Sequence, residues 1–392
     1  MPLIGNVDKI TLSYIAGWAA DSDMLDESLD VLIYVDGEGR GRVKANVPRD
    51  DLRTAFPGAT GKHAFRFEFG RPLSPFAQHK VSVIDARDRK PLPNGERTIP
   101  AVGREPTGGP QPICLTSTGR SGTSLLMGRL AGHPEIAVAG RHPFEVKQLT
   151  YHVLALRTMT LAANWNKSMN PEALVSPASH YSIGFNPFHD PDFGDHPLLD
   201  EYWQTTAPVL LTAAFRDATL AYYDAVRVMT GKLRIRYFAE KTHPNQEIRD
   251  GVAAVFGGVK EIVLVRDPRD LMCSYRAFWK RDLGEAVSLI GSQLSELAQR
   301  VRHPDPDTLL MRYEDLIMEP TETLGKVWEF LQLERGANVQ QSGESAVFRQ
   351  HGTSGSPEKS VGRWKHELTS QEVDVCSQKL EPLMTLFGYA TC

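Results

Sequence analysis

The sequence predicts an α/β protein: a parallel sheet flanked by helices, preceded by a small all-β sandwich. Two observations carry this reading. Before residue 100, short period-2 stretches are separated by turns rich in Gly and Asp, and helical pattern is almost absent. Beyond residue 112, short apolar runs alternate with longer stretches at helical spacing, as strands joined by crossover helices do. Between them, residues 100–112 carry four prolines and three glycines and read as a linker. The expected domains are therefore 1–103, a linker at 104–112, and 113–392.

In the first domain, alternation marks strands at 10–16, 31–35, 64–69 and 81–84, with a short helix near 49–55 where Pro48 and Asp50 suit a first turn. Trp18 and Phe65 fit core packing better than a sugar groove. In the second domain, Ile113-Cys114-Leu115 opens a strand that enters the turn Gly119-Arg120-Ser121-Gly122-Thr123-Ser124, and Leu125, Leu126 and Leu130 then recur at helical spacing. A helix N-terminus preceded by small residues, hydroxyls and one cation is a phosphate cradle. It is not the nucleoside-triphosphate loop, because Thr123 stands where that loop has Lys.

Helical pattern follows at 144–163 and 209–230, a buried strand at 234–239, and a helix after Pro244. The intervening loop 186–197, rich in Pro, His and Asp, fits neither a zinc nor a calcium spacing and reads better as a lid over an acceptor. A continuous apolar strand, 261–265, then ends in Arg266-Asp267-Pro268-Arg269-Asp270. Asp267 suits an N-cap, Pro268 the first helical position and Asp270 the third. Arg266 thus stands at the carboxyl edge of a strand, where open α/β sheets bind ligands, and Ser274 lies two helical turns further on. On the residues alone, Arg266 is equally an anion ligand or a surface ion-pair partner.

Bulk properties set limits. A hydrophobic share of 41% and an aromatic share of 8% are those of a soluble globular protein. A net charge of −4 supplies no global basic field for nucleic acid or an anionic membrane, so any anion site is local. No apolar run approaches the ~18 residues of a membrane span, and no basic–apolar leader is visible. Cys114, Cys273, Cys376 and Cys392 show no ligand or pairing pattern, so reduced cysteines and a cytoplasmic location are expected.

Three separated segments resemble the sulfotransferases that use 3′-phosphoadenosine-5′-phosphosulfate (PAPS). Residues 119–124 resemble that family's P-loop-like element for the 5′-phosphosulfate. Residues 266–275 resemble its 3′-phosphate element, with Arg266 and Ser274 at the family spacing. Arg312-Tyr313-Glu314-Asp315-Leu316 resembles the segment whose Tyr approaches the adenine. The likeness covers residues 112–392. The first hundred residues lie outside it and resemble, more weakly, β modules of bacterial glycan-modifying enzymes.

The resemblance implies roles. Arg120, Ser121, Gly122, Thr123 and Ser124 would hold the leaving phosphate, Arg266 and Ser274 the 3′-phosphate, and Tyr313 the base. Arg120, where cytosolic members have Lys, points to the carbohydrate-acting branch. Ala239-Glu240-Lys241-Thr242-His243 matches two variants of the catalytic motif, so the general base is Glu240 or His243, with Lys241 beside the leaving oxygen. Residues 360–365 resemble the family's glycine-x-tryptophan-lysine segment, but the usual preceding Arg is missing, which leaves Lys359 or Arg363 for the 3′-phosphate. Glu145, His152, Trp165, His189 and Trp203 are candidates for the acceptor side. The implied activity is sulfuryl transfer from PAPS to a hydroxyl of a sugar, glycan or glycolipid, releasing 3′,5′-bisphosphoadenosine (PAP), with no metal. The rivals are a P-loop-class kinase and an inactive glycan-binding protein. Oligomeric state leaves no mark on the sequence.

Overall fold

The computed structural model describes residues 3–56, 60–70, 72–102, 108–159, 198–199, 202–335 and 352–390. The expected acceptor residues Trp165 and His189, and the loop 186–197, lie outside them. The chain divides into two compact units, residues 1–103 with 154–212, and residues 104–153 with 213–392.

The first unit carries strands β1 (Leu3–Ile10), β2 (Tyr14–Asp21), β3 (Asp30–Val35), β4 (Glu38–Lys44), β5 (Val47–Pro48), β6 (Lys62–Glu68), β7 (His79–Asp85) and β8 (Pro91–Ile99), with helix α1 (Asp50–Ala55) between β5 and β6. They pair into two antiparallel sheets, β1-β2-β6-β5 and β4-β3-β7-β8. Alternate residues of both sheets (Val7, Ile15 and Phe65 from one, Val31, Ile33 and Val83 from the other) enter one apolar core. Phe65 is therefore a core residue, as expected. The strand expected over 10–16 is instead the end of one strand and the start of the next. Thr11 Oγ1 accepts from the N–H groups of Ser13 and Tyr14, at 3.1 and 2.9 Å, and this side-chain turn outcompetes a continuing strand.

The second unit is a five-stranded parallel sheet. It contains β9 (Gln111–Ser117), β10 (Ile136–Val138), β11 (Tyr237–Thr242), β12 (Lys260–Val265) and β13 (Thr308–Arg312), in the order β10-β11-β9-β12-β13. From β9 the chain passes to the edge strand β10, returns to β11 between β10 and β9, and then crosses to the other side for β12 and β13. The carboxyl ends of β9 and β12 thus flank the point where the winding reverses, the place such sheets bind ligands. The connecting helices in this region include α2 (Thr123–Gly132), α3 (Gln148–Met159), α4 (Ala207–Met229), α5 (Gln246–Phe256), α6 (Pro268–Trp279), α7 (Leu283–Arg302), α8 (Tyr313–Met318), α9 (Pro320–Phe330), α10 (Trp364–Glu367) and α11 (Ser370–Leu386).

Apolar residues on both faces of β12 explain its continuous hydrophobic run. Ile262 and Leu264 of β12 join a core with α2 and α9, whereas Val263 and Val265 join another with α6, α7 and α11. Glu261, fully buried at the start of the same strand, is held by Thr116 Oγ1 at 2.7 Å and by Arg300 Nη2 at 3.3 Å.

Candidate active site

The turn after β9 is shaped by backbone geometry. Arg120 has φ 66° and Gly122 φ 88°, and Gly122 caps α2. A Cβ on Gly122 would lie 2.4 Å from the ring carbons of Tyr313, and one on Gly119 would lie 2.5 Å from the Trp279 ring. Both glycines are required by close approach, and Gly122 also by its left-handed φ. The turn brings the first N–H groups of α2 together with Thr123 and Ser124, while the Ser121 hydroxyl turns inward to Thr118.

The second strand end supplies Arg266. Asp267 caps α6 through an Oδ1 that accepts from Arg269 N at 2.9 Å, with Pro268 in the first turn, as the sequence predicts. Arg266 Nη1 donates to the carbonyl of Arg120 at 3.0 Å, its Nη2 donates to the carbonyl of Ser360 at 2.6 Å, and its guanidinium lies 4.6 Å over the Tyr313 ring. Its Nε is buried without a hydrogen-bond partner among the described residues. Arg120 Nε lies 3.3 Å from Ser274 Oγ, and its guanidinium lies 4.1 Å over Phe278. Burial first, then Arg266 and Arg363, hold Arg120 below the usual guanidinium range. Residues drawn from separate strand ends therefore share one cleft, in which like charges crowd together.

Segment 352–363 packs along this cleft. Tyr313 is buried, its hydroxyl 2.7 Å from Ser360 Oγ. Arg363 reaches Thr353 and Glu367, and Lys359 is exposed. The sequence reading missed Asp270. Taken there as a helix-start residue, it is fully buried and accepts from the N–H groups of Gly362 and Trp364 at 2.7 and 3.0 Å, tying this segment to α6. Burial pushes its carboxyl up despite those bonds.

The motif around Glu240 lies differently from expectation. β11 begins at Tyr237 and runs through Thr242, so Glu240 and Lys241 are within the strand rather than just beyond it. Successive side chains of a strand face opposite ways. Glu240 is fully buried on one face, where Oε1 accepts from Tyr223 O–H at 2.8 Å and Oε2 from Leu149 N–H at 2.9 Å. Burial pushes its carboxyl up to about 7, against the two donors. Lys241, on the other face, donates to Ser124 Oγ at 2.8 Å, to the Pro143 carbonyl, and to Glu145 Oε1 at 2.8 Å. Burial lowers the Lys241 pKa despite Glu145.

Glu145 also pairs with Lys147 at 2.9 Å. Burial works to raise its pKa, but the two lysines hold it below the usual carboxylate range. His243 follows β11; burial, with Lys147, lowers it to about 4, so it is neutral at pH 7. His152 stacks on Phe215 at 4.5 Å, with Nδ1 3.2 Å from Thr219 Oγ1. Trp203 belongs to a π-helical turn, Tyr202–Thr206.

A family model settles what kind of protein carries this cleft, matching residues 112–336, more than half of the chain. The chain belongs to the sulfotransferase family. It is thus of the transferase kind, and the sequence resemblance to sulfotransferases holds. Among solved structures it is similar to the sulfotransferase domain from the curacin biosynthetic pathway (16% identity, TM-score 0.41, covering 73% of this chain and 100% of that one). It is also similar to the sulfotransferase domain of the Synechococcus PCC 7002 olefin synthase (18%, 0.43, 74% and 98%). A third is mouse sulfotransferase SULT7A1 complexed with PAP (13%, 0.37, 71% and 85%). No curated protein sequence matches the chain. Among the described residues, no helix of this sulfotransferase is long and apolar enough to cross a membrane.

Proposed function

We propose that the protein transfers the sulfuryl group of PAPS to a hydroxyl of a sugar, glycan or glycolipid. The observation that carries the donor is the crowding of Arg266 and Arg363 close enough to act on Arg120, whose Nε lies 3.3 Å from the Ser274 hydroxyl. The Nε of Arg266, buried without a partner among the described residues, and an Arg120 lowered by burial first and then by Arg266 and Arg363 fit a bisphosphorylated nucleotide, whose two phosphates would neutralise that field. PAPS would supply the activated sulfuryl group and its own leaving group. Arg266 and Ser274 are assigned to the 3′-phosphate, with the buried Arg363 behind them and the exposed Lys359 on its open side, and Tyr313 to the adenosine. The helix start at 122–124, with Arg120 and Lys241, is assigned to the leaving phosphate, where cations and aimed N–H groups stabilise developing charge.

Of the two expected bases His243 is assigned the proton, because both oxygens of Glu240 are engaged out of water's reach. Glu145, half exposed and paired with Lys241, is assigned to the acceptor side, as are His152 and Trp203 on the resemblance alone. The carbohydrate class of acceptor rests on the Arg120 resemblance, and the domain boundaries 1–103 and 113–392 remain part of the proposal. Buried free thiols at Cys114, Cys273 and Cys376 support a reducing, cytoplasmic setting. The test is turnover: purified protein with PAPS and a panel of sugar and glycolipid hydroxyls should release PAP. Arg120→Ala should lower kcat about 10²-fold or more, and His243→Ala about 10²-fold. Release that is no faster than in Arg120→Ala would reject the reading.

A further inference from the structure

The 3′-phosphate side of the cleft is closed by a stretch that lies beyond the family match, which ends at residue 336. Thr353 Oγ1 lies 3.3 Å from Ser274 Oγ and accepts from Arg363 Nη1 at 2.6 Å. Arg363 Nη2 also donates to the Thr353 carbonyl at 3.0 Å. The remaining Arg363 bonds, from Nε and Nη2, go to the Glu367 carboxylate, each at 2.8 Å. Arg363 is buried, so this guanidinium spends its donors on Thr353 and Glu367, and none of its hydrogen bonds goes to Ser274.

A threonine hydroxyl has one proton to donate and two lone pairs to accept with. Accepting from Arg363 leaves that proton free to be given away, and polarises it toward an anion. Ser274 Oγ, the atom within its reach, is also 3.3 Å from Arg120 Nε. The two hydroxyls thus bridge Arg120 and Arg363, in the cleft that the Nε of Arg266 also lacks a partner to fill.

We propose, resting on the PAPS reading above, that Thr353 Oγ1 is a direct ligand of the donor's 3′-phosphate and that Arg363 is a positioning residue acting through it. Thr353 then sets the preference for a 3′-phosphorylated nucleotide, in place of the Arg that precedes the glycine-x-tryptophan-lysine segment in cytosolic members and is missing here.

The experiment is calorimetric titration of the full chain with PAP and with AMP, which has the same nucleoside and 5′-phosphate but no 3′-phosphate. The wild type should prefer PAP. Thr353→Val, with Thr353→Ala as a companion that adds no bulk, should weaken PAP binding about tenfold and leave AMP binding within about twofold. Thr353→Ser should restore PAP binding, and Arg363→Gln should reproduce the selective loss. Equal weakening of PAP and AMP in the valine and alanine variants, or unchanged PAP affinity, would overturn the proposal while leaving the PAPS reading standing. A wild type that binds PAP no better than AMP would overturn both.

Discussion

A carboxyl group shut away from water, with only two donors aimed at it, titrates late, and Glu240 is held at about 7 against 4.5 for an ordinary glutamate. Because the folded pKa is raised, the folded state is favoured while Glu240 keeps its proton. That contribution is fully present below about pH 4.5 and is lost as pH rises through about 7. Glu240→Gln keeps the shape and removes the charge, so the urea midpoint of the variant should fall less than that of the wild type between pH 5 and pH 8. Parallel curves would contradict the burial argument. The surroundings of Glu240 were not legible in the sequence, since the donors, Leu149 N–H and Tyr223 O–H, come from distant parts of the chain. The alternation of the strand sends the neighbouring Lys241 the other way, to Glu145.

Elements are where the sequence was most legible and where its boundaries slipped. The strand before Arg266 and the capped helix after it were readable because Asp, Pro and an apolar run are local signals. β11 was read a few residues early because Arg234 to Arg236 mimic its alternation, and its register is fixed by pairing with β9 and β10. The turn after β9 depends on one residue. Gly122→Ala would force a Cβ against Tyr313 at a left-handed φ, so PAP affinity and melting temperature should fall together, with a stability loss of about 1–3 kcal/mol. Wild-type behaviour in that variant would mean that the turn is looser than described. Lys232, just past α4, donates to the carbonyls of Ala131, His133 and Ile136 at 2.7, 2.6 and 2.5 Å, closing the C-terminal end of α2. Lys232→Met should therefore cost about 2 kcal/mol in the urea-unfolding free energy, and an unchanged midpoint would show that water replaces the ammonium without loss.

At the scale of the whole molecule, a chain of net charge −4 concentrates Arg120, Arg266 and Arg363 in one cleft, and the proposed anion site rests on that local contrast. The fold class, the glycine turn after β9 and the strand-end Arg266 were legible because such features are set by local geometry. Thr353 and Asp270 were not, because their importance comes from what the fold brings beside them, Ser274 for one and the N–H groups of Gly362 and Trp364 for the other. The cleft should bind tetraanionic PAP less tightly as salt is raised, since exposed charge is screened over about 8 Å at physiological ionic strength. The most direct measurement of the central claim is titration of the full chain with PAP, beside Arg266→Ala and Arg120→Ala. The account predicts one site on the wild type and a loss of about tenfold or more in each variant. Absent binding, or binding indifferent to both arginines, would contradict it.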